Sequence, residues 1–125
     1  ARVVEAGGGV WAAVFPDALL PRALAYWQHA GRILSSRAAE AWLCDGRVPE
    51  ADAVVVNRFA ARLGGWSGAP AELVSLHPSG MAAIFTAFQA VTGRRPGCRT
   101  VMFGFPYTDT LKILEKFGAG AEFFP

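Results

Sequence analysis

LVSLHPSGMAAIFTAFQAV, residues 73–91, is the stretch on which the fold turns. Residues 73–76 are rich in aliphatic side chains and read as a strand. His77-Pro78-Ser79-Gly80 then forms a turn, and the spacing predicts a helix over 81–91, apolar almost all round through Ile84, Phe85, Phe88 and Val91 and closed by Gly93. A helix of that composition must be covered on most sides. The alternation continues downstream. Residues 100–103 read as a second strand, 107–117 as a helix with Leu111, Ile113 and Leu114 inward and Gly118 as its stop, and 121–124 as a third strand. Short β-rich runs separated by amphipathic helices predict an α/β class with a parallel sheet. Three strands would leave exposed edges and an uncovered face, so the stretch is expected to be the opening part of a larger domain.

Upstream of this stretch the sequence is helical. The first 15 residues lack periodicity, and Gly7-Gly8-Gly9 predicts a mobile arm. A helix follows Pro16, with Asp17 placed to cap it, Pro21 in the first turn and Leu20, Leu24 and Trp27 on a buried face, running to about Ala30 before Gly31. Ser35 or Ser36 starts a second helix carrying Ala38, Ala39, Trp42 and Leu43, which ends at Asp45-Gly46. The spacing of Val54, Val55, Phe59 and Leu63 predicts a third helix over 51–63, with Gly64-Gly65 as its end. The chain thus divides into an arm and helical segment, 1–66, and the first part of an α/β domain, 67–125.

Composition narrows the function. The chain has 125 residues, 53% of them hydrophobic and 18% charged, with a net charge of +2, which argues for a folded unit and against a disordered tail. No apolar run approaches the roughly 20 residues needed to span a bilayer, and the first residues carry no secretory pattern, so a soluble cytoplasmic protein is expected. The bases are dispersed among 10 acids, and no basic stripe suggests nucleic acid. Cys44 and Cys98 lie far apart without metal-ligand spacing and are expected to be small buried hydrophobes. His29 and His77 have no metal-spaced partner, so no metal site is expected, and each reads as a hydrogen-bonded structural histidine.

Two places could carry chemistry. Ser79-Gly80-Met81 stands where a strand turns into a helix, the arrangement in which unpaired backbone N–H groups and the helix dipole face a phosphate, with Gly80 allowing close approach. The plainer alternative is that Ser79 caps the helix and Gly80 relieves the turn. Neither a dinucleotide fingerprint nor a P-loop is present. The second place is Phe103-Gly104-Phe105-Pro106-Tyr107-Thr108-Asp109-Thr110, on the same carboxyl edge of the sheet, where ligands of open parallel sheets bind. Tyr107 could stack on a flat cofactor and handle a proton, or could simply pack beside a helix start capped by Thr108 or Asp109. Arg37 could clamp a phosphate, although a single arginine at a helix start is usually solvated. Tyr26-Trp27 and Phe123-Phe124 read as core.

At these two places the sequence resembles the pyridoxal-phosphate enzymes of cysteine and methionine metabolism, and among them the fungal-type cystathionine gamma-synthases. Pro78-Ser79-Gly80-Met81-Ala82-Ala83-Ile84 is similar to the family's phosphate cup, and FGFPYTDTLKILEKF, residues 103–117, to the more specific fungal-type signature. Tyr26-Trp27-Gln28-His29 and Ser35-Ser36-Arg37 with Ala39-Glu40 resemble the region preceding the catalytic domain. The resemblance covers about residues 15–125, weakly over 45–66.

The resemblance implies an aspartate-aminotransferase-like fold of type I, of which the chain would be an N-terminal portion, a helical segment followed by the start of a mostly parallel sheet. It implies pyridoxal 5'-phosphate as cofactor, with Gly80 and Met81 donating backbone N–H groups to its phosphate beside Ser79, and Tyr107 stacking on its ring and assisting proton movement. Arg37 matches the arginine of a Tyr-Ser-Arg segment that reaches a neighbouring subunit's phosphate, although serine replaces the tyrosine here. The lysine that holds the cofactor, the aspartate at its ring nitrogen and the arginine for the substrate carboxylate would lie beyond Pro125. Lys112 and Lys116 do not match that lysine. The implied reaction is gamma-replacement on an O-acyl-homoserine with cysteine, with a gamma-lyase or sulfhydrylase as relatives, amino acids as substrates and a homotetramer of dimers as assembly. Two other readings stand beside it: a non-catalytic split or degenerate relative that acts as an assembly subunit, and a small flavodoxin-like phosphate-binding domain.

Overall fold

The computed structural model describes residues 1–105 and 107–125, so Pro106, within the second candidate stretch, lies outside the described residues. The class is α/β, with helices and two small sheets. Contacts group the chain into two units, one of Ala1–Leu19 with Leu34–Leu76 and one of Leu20–Ile33 with His77–Pro125.

In the first unit, the expected mobile arm is instead a β-hairpin. β1 (Arg2–Gly7) pairs antiparallel with β2 (Val10–Val14), from Arg2 opposite Val14 to Gly7 opposite Val10. Gly8 and Gly9 both have positive φ, +59° and +82°, which is what a tight two-residue hairpin turn requires. The glycine run therefore makes a turn rather than a flexible tether. It also lets backbones meet, since a Cβ on Gly8 would run into the Gly46 carbonyl oxygen. Val48 N–H donates to the Gly8 carbonyl at 2.8 Å, and the Trp42 indole to the Gly7 carbonyl at 3.0 Å.

α2 (Ser36–Asp45) begins and ends as its sequence predicts, because both signals are local. Ser35 Oγ accepts from Ala38 N–H, and left-handed Gly46 donates its N–H to the Trp42 carbonyl. α3 (Ala53–Ser67) is capped by Asp52 but does not end at Gly64-Gly65. Gly64 is buried, and a Cβ there would meet the Ala69 carbonyl oxygen at 2.5 Å. Its role is close approach of the returning backbone, and the left-handed stop is Gly68. Val54, Val55, Phe59 and Leu63, expected inward, are exposed, as are Leu43 and Cys44 on α2. Residues 73–76 do not form a strand. Ala71–Leu73 is a 3-10 turn, and the extended backbone at Val74 pairs with no strand among the described residues.

In the second unit, α1 (Leu20–His29), α4 (Gly80–Arg94) and α5 (Thr108–Phe117) pack around Ala30, Phe85, Phe88 and Ile113, with Met81, Ile84, Leu114 and Phe117 at the margin. Phe85 sits in an aromatic cluster: Tyr26 and Phe117 meet it edge-on at 5.6 and 5.2 Å, and Phe88 stacks at 6.2 Å. The face of α1 expected to be buried is not, for Leu20, Leu24 and Trp27 are all exposed. No residue of α1 itself is buried, and the core is reached only at Ala30, which follows it. α4 runs through Gly93 and leaves Val91 exposed. β3 (Thr100–Phe103) and β4 (Ala121–Phe124) pair in parallel across α5, a two-stranded sheet where three strands were expected, because residues 73–76 take no part. Phe123 and Phe124, expected in the core, are exposed. No helix among the described residues is long and apolar enough to cross a membrane.

Candidate functional site

The carboxyl end of α1 touches the starts of both α4 and α5, and this places the two candidate stretches around one corner of the second unit. At the α4 start, Ser79 is the N-cap. Its Oγ accepts from Ala82 N–H at 3.1 Å and donates to the Gly31 carbonyl at 3.2 Å. Ser79 thus does the capping work of the plainer alternative and ties α4 to the residue that follows α1. The amides of Gly80 and Met81, in the first turn, have no hydrogen-bond partner among the described residues, as expected of orphan donors at a helix start. A Cβ on Gly80 would meet nothing within 4 Å, so the space outside the helix end is open.

Gly31 is what lets the two helices meet. Its φ is +62°, and a Cβ there would lie 2.6 Å from Ser79 Oγ, 2.7 Å from Ala82 N and 2.7 Å from Met81 Cβ. Just beyond it, Arg32 donates to Thr86 Oγ1 at 2.6 Å and lies 5.3 Å from the Phe85 ring centre.

At the α5 start, Tyr107 is the N-cap position but makes no side-chain capping bond, and its ring is 65% exposed. Asp109 does not cap either. Its Oδ1 pairs with His29 Nδ1 at 2.8 Å across 80 residues of sequence, the histidine side chain being 12% exposed. His29 is thus a hydrogen-bonded histidine, and its partner is a carboxylate that spacing could not reveal. The bond to His29 foremost, and then the nearby Tyr107 phenol, hold the Asp109 carboxyl below its ordinary range. In return the neighbouring Asp109 carboxylate raises the Tyr107 phenol from its ordinary value.

A carboxyl depressed in the folded state adds stability above its unfolded value and loses it as the pH falls through the folded one. Asp109→Asn should therefore lower the thermal midpoint above about pH 4 and make progressively less difference below it. A midpoint difference that stayed the same in acid and at neutrality would show that the ionised carboxylate is not what holds this corner.

The other predicted residues fall elsewhere. Arg37 belongs to the first unit, exposed in the first turn of α2 and without an ion pair among the described residues. Lys112 pairs with Glu115 at 2.7 Å on α5.

What fold and corner together define is an α/β chain in which the end of α1 meets the capped start of α4 through Ser79 and the start of α5 through Asp109. Among curated proteins, the chain is similar to cystathionine gamma-synthases. It is 52% identical over 59 residues to the cystathionine gamma-synthase of Neurospora crassa, covering 42% of this chain and 10% of that protein. A cystathionine gamma-synthase-like enzyme of Amanita muscaria is 53% identical over 51 residues, covering 41% of this chain and 8% of that enzyme. A broader match, 38% identical over 113 residues, is to the L-2-amino-4-chloropent-4-enoate dechlorinase/desaturase of Streptantibioticus cattleyicolor, covering 80% of this chain and 22% of the enzyme. The chain therefore spans between 8% and 22% of the length of these three relatives. The resemblance to cystathionine gamma-synthases drawn from the two motifs holds against these proteins. No family model matches the sequence, and no solved structure does.

Proposed function

We propose that the chain is part of a pyridoxal 5'-phosphate-dependent enzyme of fold type I that acts at the gamma carbon of an amino acid, by replacing the acyloxy group of an O-acyl-homoserine with the sulfur of cysteine, the carboxylate leaving. The observation that carries this reading is the α4 start, where the amides of Gly80 and Met81 have no hydrogen-bond partner among the described residues and a Cβ on Gly80 would meet nothing within 4 Å. Residues 67–125 would then open the cofactor domain, with 1–66 as the segment before it. A cytoplasmic homotetramer built from dimers goes with this reading by analogy.

The residues present fit the phosphate end of the cofactor. Gly80 and Met81 would donate two N–H bonds to it, strengthened by the dipole of a 15-residue helix. Ser79, its hydroxyl already committed, would hold the cup's shape. Tyr107 would lie against the ring and hold a proton on its phenol oxygen for the leaving group, a role that suits a phenol kept protonated by Asp109. Arg37 would serve a neighbouring subunit's phosphate. When bound, the cofactor supplies an electron sink for carbanions next to the amino-acid nitrogen. Neither Lys112 nor Lys116 is assigned to holding it.

One observation favours a second reading. The relative that matches 80% of this chain is named for removing chlorine and desaturating, so loss of a gamma substituent without replacement is the alternative reaction.

The test uses the intact protein as isolated. A visible absorption band that borohydride bleaches while fixing the cofactor to the chain is expected, and a colourless protein to which borohydride fixes nothing would overturn the proposal. Assaying O-acyl-homoserines with and without cysteine separates replacement from elimination. Gly80→Val should fold, because nothing stands within 4 Å of its Cβ, yet lose cofactor at least tenfold more readily, since the side chain would occupy the phosphate's place. Equal retention, measured by dialysis against a competing carbonyl reagent, would count against the cup.

A further inference from the structure

We propose that the exposed face of α3 docks an acidic amphipathic helix of a partner protein, whose apolar side lies against Phe59 and Trp66 and whose carboxylates meet Arg58 and Arg62. The inference is independent of the cofactor reading, since every residue it uses belongs to the first unit.

α3 buries only a narrow stripe. Val56 is half-buried and Ala60 and Gly64 are buried, four positions apart, and Gly64 lies against the backbone at Ala69 and Ala71. Small residues there let the returning chain come close, and the opposite side of the helix stays bare. That side carries Val55, Arg58, Phe59, Arg62, Leu63 and Trp66, which a step of about 100° per residue gathers into one continuous arc. Phe59 is 59% exposed and Trp66 73%. Two large rings beside two aliphatic side chains on one helix face form the kind of patch that marks an interaction surface.

The charges on this face state the chemistry of what covers it. Residues 53–67 include Arg58 and Arg62 and no acid, and neither arginine makes an ion pair among the described residues. The two are four positions apart, so their guanidinium groups are neighbours on the helix surface, and Arg62 is held 5.3 Å from the centre of the Trp66 ring. A hollow of about 420 Å³ is lined by Val55, Arg58, Phe59, Ala61 and Arg62. Carboxylates four residues apart on an opposing helix match that spacing and can accept from each guanidinium in pairs. From Val55 to Trp66 the lane is about 16 Å long, enough for three turns of such a helix laid along it. A second copy of α3 would instead bring four arginines and no acid into the contact. An anionic bilayer is the poorer match too, because its recognition takes clusters of about four to eight cations and α3 offers two.

The experiment uses the full chain and two fluorescein-labelled helical peptides of about 18 residues. One carries leucine on one face and glutamate on the other, and the second has lysine in place of every glutamate. By fluorescence anisotropy the glutamate peptide should bind at least tenfold more tightly than the lysine peptide, and its affinity should fall as salt is added. The double variant Arg58→Glu/Arg62→Glu should reverse that order. Phe59→Ser should weaken the glutamate peptide without reversing the order. All three positions are exposed, so the variants should fold, which circular dichroism checks. If the charge-reversed chain does not fold, Arg58→Gln/Arg62→Gln takes its place and should erase the preference. Equal affinity for the two peptides, no binding of the glutamate peptide, or a preference that survives loss of both arginines would overturn the proposal. Self-association of the chain that Phe59→Ser abolishes would assign the face to a second copy, and tighter binding to phosphatidylserine vesicles than to the glutamate peptide would assign it to a membrane surface. Either result overturns the proposal as well, and none of them bears on the cofactor site.

Discussion

Gly31→Ala is expected to destabilise the chain by about 3 kcal/mol, combining a left-handed backbone penalty of about 1–2 kcal/mol with an overpacking cost of about 1–3 kcal/mol. The added methyl has nowhere to go. It would meet Ser79 Oγ, Ala82 N and Met81 Cβ all within 2.7 Å, and all three belong to the cap and the first turn of α4. Gly97→Ala is the matched control, for its φ is +78° and its Cβ would touch nothing within 4 Å, so only the backbone penalty applies. Urea unfolding of both variants separates the two contributions. If Gly31→Ala unfolds no more readily than Gly97→Ala, the close approach of α1 to α4 is not built into the fold.

Phe85→Ala should cost about 3–5 kcal/mol, the usual range for truncating a buried phenylalanine. The side chain is 3% exposed, and its removal deprives Tyr26, Phe88 and Phe117 of a shared ring neighbour and Arg32 of the face it covers. A cavity of aromatic size cannot close by side-chain rotation alone, because the three helices around it are held at their ends by the Ser79–Gly31 and His29–Asp109 bonds. Phe105→Ala, at a residue 100% exposed, should change stability by less than about 0.5 kcal/mol. Similar unfolding midpoints for the two variants would show that the aromatic cluster is not the core of the second unit.

Much of the local architecture could be read before any coordinates. Ser35 and Gly46 delimit α2, Ser79 caps α4, and Gly118 follows α5, each through hydrogen bonds or backbone conformations confined to one helical turn. The βαβ order of β3, α5 and β4 was equally legible, since the pattern period changes from two to about 3.6 and back. The failures share a different origin. Gly64-Gly65 has the composition of a stop, yet Gly64 serves a backbone passing at Ala69, and Gly7-Gly8-Gly9 has the composition of a tether, yet it turns a hairpin seated on Gly46 and Val48. Residues 73–76 have strand-forming side chains but no partner strand, and strand pairing is a property of two segments rather than one.

The amino-acid order by itself determined where most helices of this protein begin, that a turn into a capped helix stands at Ser79-Gly80-Met81, and which family its motifs resemble, because those features depend on residues within a few positions of one another. Only the tertiary structure decided that His29 and Asp109 meet and that Gly31 brings the end of α1 onto the α4 cap. Those outcomes depend on packing between segments 48 to 80 residues apart, and no interaction within either segment carries information about the other.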